Sequence, residues 1–137
     1  MTSVVSLNGE IFSSECARVS VFDRGFLYGD SVYEVLRTYR GIPFELESHL
    51  DRLESSAERI GMRLPVSLEC LEREIAAVHE ASKNDESYLR IICTRGAGPI
   101  GLDPALAEEP LRVILAQPLA LPPREAYEKG VTIALVS

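Results

Sequence analysis

Two runs of helical period stand side by side between segments of strand period, and this order constrains the fold more than any other feature. Leu50, Leu53, Ala57 and Ile60 recur at three- and four-residue spacing, which puts them on one helix face. Leu68, Leu71, Ile75 and Val78 do the same in a second helix. Ser48 is the expected N-cap of the first, with Asp51 in its first turn and Gly61 as its C-cap. Ser67 starts the second, with Glu69 and Glu72 close to its positive end.

The flanking segments alternate instead. "SVVSLNGEIFS" places apolar residues on both sides of Asn8-Gly9, a hairpin signal. "ARVSVFD" alternates weakly. From Val32 to Tyr39 the chain alternates fully: Val32, Glu34, Leu36 and Thr38 fall on one side, Tyr33, Val35, Arg37 and Tyr39 on the other. Arg40-Gly41 makes a turn, and "IPFELE" returns as a partner strand. "ESYLRIICTRG" and "LRVILAQP" supply two more strands, the second apolar enough to be buried on both faces. "GAGPIGLDPALAEEP" is a loop, "PPREAYEKG" a turn with a short helix, and "VTIALVS" the start of another strand. Strands, then two helices, then strands indicate an α+β domain with an antiparallel sheet and two helices packed on it. The last strand either completes this sheet or opens a further domain.

Composition removes several function classes. The 137 residues carry a net charge of −7, and no Lys/Arg-rich run stands out, so nucleic acid has no electrostatic support as a partner. No apolar run approaches the roughly 20 residues that cross a bilayer. The first ten residues lack a basic segment followed by an apolar one, so a signal peptide is not expected. The three cysteines, Cys16, Cys70 and Cys93, have no CxxC spacing and form no zinc pattern with His49 and His79. They are expected to be reduced, in a cytoplasm.

Three residues stand out as binding candidates. Arg52 lies at the border of the first helix's apolar stripe, where its planar fork could take a phosphate or a carboxylate, or pair with nearby Glu residues. Tyr33 shares a strand face with Arg37 and Tyr39, which makes either a pocket floor or an ordinary outer face. Arg90 is a charge inside an apolar strand and needs a partner or a wet cavity. "RGAGPIG" lacks the spacing of a nucleotide-binding loop and reads as a mobile loop at the mouth of a site.

The stretch "FDRGFLYGDSVYEVLRTYRGIPFELESHLDRLESSAERIGM" resembles the N-terminal domain of the class IV, or fold type IV, pyridoxal-phosphate enzymes. These are the branched-chain aminotransferases, the D-amino-acid aminotransferases and the aminodeoxychorismate lyases. The similarity is carried by DRG, YGD, VYE and HLDRL in order, and extends to "NGE", "YLRIICTRG" and "EKGV". It implies a small α+β domain over residues 1–120, then a connection and first strand of a second domain over 121–137. It implies pyridoxal 5'-phosphate as cofactor, amino-acid and 2-oxo-acid substrates, and a cytoplasmic homodimer. By position, Arg52 matches the arginine that binds the cofactor phosphate. Tyr33 matches an aromatic facing the substrate side, and Arg90 a pocket-lining strand position that is arginine in some branched-chain enzymes. D-amino-acid aminotransferases hold the substrate carboxylate with an Arg and a His after TRG; here "AGPIGLDP" has neither.

The family's Schiff-base lysine belongs to the second domain, and neither Lys83 nor Lys129 matches it. The expectation is therefore the N-terminal part of an aminotransferase of branched-chain type, inactive alone. Aminodeoxychorismate lyase, which eliminates pyruvate on the same cofactor, is the alternative within the family. A naturally short binding or assembly domain is the alternative outside it.

Overall fold

The computed structural model describes residues 3–136. The chain runs β1 (Val4–Leu7), β2 (Glu10–Ser13), α1 (Arg24–Tyr28), β3 (Ser31–Tyr39), β4 (Ile42–Pro43), α2 (Leu46–Arg59), α3 (Leu68–Ser82), β5 (Ser87–Ala97), β6 (Glu109–Pro118) and α4 (Arg124–Lys129). The strands form one sheet in the order β2-β1-β6-β5-β3-β4, and every neighbouring pair is antiparallel. The α+β architecture expected from the sequence is the one observed.

Helices α2 and α3 cover one face of the sheet. Leu50, Leu53 and Ala57 from α2 and Leu71, Ile75 and Val78 from α3 are buried against Val32, Leu36, Leu89, Ile91, Cys93 and Ile114. These are the alternate positions of β3, β5 and β6, so strand period and helix period meet in one core. Each fully buried leucine or isoleucine contributes about 1.5–3 kcal/mol by leaving water. The opposite face carries Tyr33, Val35, Arg90, Ile92 and Leu111, which remain partly or largely open.

Several local expectations hold. Asn8 and Gly9 both adopt positive φ, 51° and 92°, which matches the twist of a two-residue hairpin. Arg40 and Gly41 do the same at the β3–β4 turn. Ser67 caps α3 by accepting from the Cys70 N–H. At Gly96 a Cβ would lie 2.0 Å from the Glu109 carbonyl oxygen, so the irregularity in β5 between Thr94 and Ala97 requires glycine.

Others are corrected. The return strand stops after Ile42-Pro43, because Glu45 takes a left-handed conformation (φ 50°) and turns the chain into α2 at Leu46. Ser48 is therefore inside the helix, not its cap, and its hydroxyl bonds Glu45. "ARVSVFD" forms no named strand; Asp23 alone bridges to Ala97. Strand β6 is buried at Val113, Ile114 and Ala116, but Leu111 and Leu115 are only half-buried, because no layer packs on that face. Residues 131–136 form no strand and are exposed: no edge of this sheet pairs with them.

A candidate cofactor and substrate wall

The uncovered sheet face holds a cleft of about 340 Å³, lined by Phe26, Tyr33, Arg90, Ile92, Thr94 and Val113 among others. Tyr33 and Arg90 meet there because β3 and β5 pair with Val35 opposite Arg90 and Tyr33 opposite Ile92. The Arg90 guanidinium lies 4.4 Å from the centre of the Tyr33 ring. The Arg90 Nε is buried and has no hydrogen-bond partner among the described residues. A buried guanidinium N–H without an acceptor is costly, so the fold keeps this charge in the cleft lining without satisfying it. Asp23 also borders the cleft, but both its oxygens are used, by the Gly25 N–H at 2.8 Å and the Thr94 hydroxyl at 2.7 Å.

Arg52 lies elsewhere. It projects from α2, on the helix-covered side, and its guanidinium grips Glu34. Nε and Nη2 each donate to a different Glu34 oxygen at 2.6 Å. His49 Nδ1 stands 2.8 Å from the same carboxylate. Glu34 is nearly buried while the Arg52 side chain is 65% exposed. The Arg52 pair holds the Glu34 carboxyl below the usual carboxylate range, with burial opposing it and His49 assisting. Glu34 thus uses one edge of the guanidinium; Nη2 also lies 3.3 Å from His49 Nδ1, and the rest of this largely exposed group is open to solvent.

The two groups flank the same strand edge. Strand β4 pairs with β3 only at Thr38 and Tyr39, and the Phe44 N–H donates to the Arg37 carbonyl, so among the described residues β3 is an open edge from Ser31 to Leu36. Glu34 and Arg52 approach that edge from one face and Tyr33 from the other. The sequence places all three candidates; only the structure shows that Tyr33 and Arg90 touch and that Arg52 is separate. Lys83 ends α3 in an exposed left-handed turn, and Lys129 sits on exposed α4 near Glu125. Neither lines the cleft.

The DRG and YGD residues have roles that their sequence alone does not assign. Asp23 caps α1. Arg24 and Arg95 both donate to Asp30, at 3.0 and 2.8 Å. Arg24 also holds the Gly101 and Leu102 carbonyls, and the Tyr28 hydroxyl accepts from the Gly101 N–H. The loop expected to be mobile is therefore tethered at its apex. The available signal was the alternation of opposite charges within a short motif.

These pairs predict an acid limb of stability. The Asp30 carboxyl is held low, chiefly by its bond to Arg95, against the effect of burial. A depressed folded pKa contributes stability that is complete above the unfolded value, about 4, and is lost as pH falls through the folded one. Urea midpoints are expected to fall below about pH 4. Replacing Glu34 with Gln and Asp30 with Asn should lower stability at neutral pH and flatten that fall.

A family model described as amino-transferase class IV matches residues 31–137. The chain is 37% identical over 133 residues to a provisionally assigned branched-chain-amino-acid aminotransferase of Methanocaldococcus jannaschii, covering 97% of this chain and 45% of that protein. It is 37% identical to a D-alanine aminotransferase of Staphylococcus epidermidis over 69% of this chain and 34% of that one. Among solved structures, the Escherichia coli branched-chain amino acid aminotransferase superposes with a TM-score of 0.82 at 27% identity, over 92% of this chain and 43% of that one. The 4-amino-4-deoxychorismate lyase of Pseudomonas aeruginosa gives 0.75 at 31% identity, over 93% and 44%. The chain thus spans less than half the length of the proteins it matches. It belongs to the class IV amino-transferase family.

Proposed function

We propose that this chain is the N-terminal part of a pyridoxal-phosphate-dependent aminotransferase that moves an amino group between an amino acid, of branched-chain type, and a 2-oxo acid. One observation carries the reading: Arg90, its guanidinium stacked on Tyr33 and its buried Nε without a hydrogen-bond partner among the described residues, lines an otherwise largely apolar cleft on the uncovered side of the sheet. That combination suits a ligand with one carboxylate and an aliphatic body.

The residues fit one side of the cofactor. Arg52 is exposed, fixed by Glu34, and keeps its outer N–H groups for a phosphate. In this reading Arg52 holds the phosphate, Arg90 accepts the substrate carboxylate, Tyr33 orients it, and Phe26, Ile92 and Val113 exclude water around its side chain. Bound pyridoxal phosphate supplies an electron sink for the α-carbon. The lysine that anchors it and moves the α-proton would come from outside this chain.

Residues 1–120 then form the small domain. Residues 121–137 lead into a second domain, and the exposed Val131, Ile133 and Leu135 fit a strand that finds its partners there. The complete protein would be a cytoplasmic homodimer. No helix among the described residues is long and apolar enough to cross a membrane.

The likeness to an aminodeoxychorismate lyase supports a second reading, elimination of pyruvate on the same cofactor. The charge at Arg90 and the largely apolar cleft favour amino transfer. The test incubates the complete protein with pyridoxal phosphate, L-valine or L-leucine, and 2-oxoglutarate. Glutamate formation is expected. Pyruvate release from aminodeoxychorismate without glutamate formation would replace this reading with the lyase.

A further inference from the structure

Asp30 stands between two arginines that reach different parts of the fold. Its Oδ2 accepts from both Nε atoms, Arg24 at 3.0 Å and Arg95 at 2.8 Å. Arg24 spends its other nitrogens on Gly101 O (2.8 Å) and Leu102 O (3.3 Å). Arg95 spends its own on Gly61 O (3.0 Å) and Ile60 O (2.8 Å). The first pair of carbonyls is the apex of the loop between β5 and β6. The second is the C-terminal end of α2, whose last carbonyls have no partner within the helix.

Both segments matter to the site. Arg24 opens α1, and its neighbours Gly25 and Phe26 line the cleft. Helix α2 carries Arg52. The cleft and Arg52 lie on opposite sides of β3, so something must set one against the other. No hydrogen bond among the described residues joins the β5–β6 loop to the end of α2 directly. The shared carboxylate does it through the two guanidinium groups.

We propose that Asp30 is a positioning residue whose single carboxylate locks the α1 wall and its loop to the end of α2, fixing the cleft relative to Arg52. The side chains of Arg24, Arg95 and Asp30 are only 5%, 14% and 15% exposed. Without the carboxylate, two largely desolvated cations would face each other with no counter-charge, and both clamps would loosen. The relevance to catalysis rests on the function proposed above; the joint itself does not.

Hydrogen exchange on the 137-residue chain tests the joint without any ligand. Asp30→Asn is expected to speed exchange about tenfold or more at two separate groups of amides. One is Gly101, Ala107 and Glu108 in the loop, and the other is Gly61 and Met62 after α2. The amides of Leu89–Ile92 in central β5 report only the smaller loss of global stability and should be speeded severalfold less than either group. Arg24→Met should affect only the first group and Arg95→Met only the second. Asp30→Glu, which keeps the charge, should recover part of the protection in both. Uniform acceleration that includes β5 would make Asp30 an ordinary contributor to stability and overturn the proposal. Acceleration of one group alone by Asp30→Asn would overturn it too. If Asp30→Asn does not fold, the arginine variants decide: either one loosening both segments contradicts the assignment. Failure of the aminotransferase reading would leave this pattern unchanged.

Discussion

Arg90→Met is expected to lower kcat/KM of the complete protein for its amino acid by about two to three orders of magnitude, with no loss of thermal stability. Arg90 has a buried Nε without a partner, so the folded chain gains little from its charge. Methionine keeps most of the volume and the contact with Tyr33 while removing the desolvated cation. In the function proposed above, the charge serves to bind the substrate carboxylate. Steady-state kinetics and a melting curve on the same sample separate the two effects. A variant that melts far lower with unchanged kcat/KM would make Arg90 structural.

The second large effect lies on the other face. Leu53→Ala is expected to cost about 2–5 kcal/mol, read from urea unfolding of the 137-residue chain. Leu53 is fully buried between the sheet and α3, in the cluster with Leu50, Ile75 and Leu89. A domain of this size has roughly 5–15 kcal/mol in total, so this one cavity removes a large share. The same truncation at Ile92, on the cleft side, should cost much less, because Ile92 has no layer packed above it. The two faces of β5 therefore differ: the helix side holds the fold, and the open side carries the cleft to which the proposed function assigns the substrate.

The residues record this division unevenly. The core face was legible, since Leu50, Leu53, Leu71, Ile75 and Val78 obey helical spacing and Val32, Leu36, Leu89 and Ile91 obey strand spacing. Arg90 was legible as an anomaly, a charge in an apolar strand. Three things were not. The start of α2 depends on a left-handed Glu45, and Ser48 imitates a cap without being one. Alternation puts Glu34 on the side of Val32 and Leu36 and says no more; it is the group that orients Arg52, across 18 residues of sequence. Asp30 stands in the sequence only as the end of the YGD run, and its joint forms only when β3, α1 and β5 converge. Alternation reports which face a residue takes. It does not report which partner waits there when that partner comes from another element.

In the function proposed above, this chain supplies a wall of the cofactor site and not its anchoring lysine. The most direct measurement treats the complete protein with pyridoxal 5'-phosphate, reduces it with borohydride and maps the pyridoxyl label by peptide mass spectrometry. One label per subunit is expected, on a lysine outside Met1–Ser137. A stoichiometric label on Lys83 or Lys129 would contradict it.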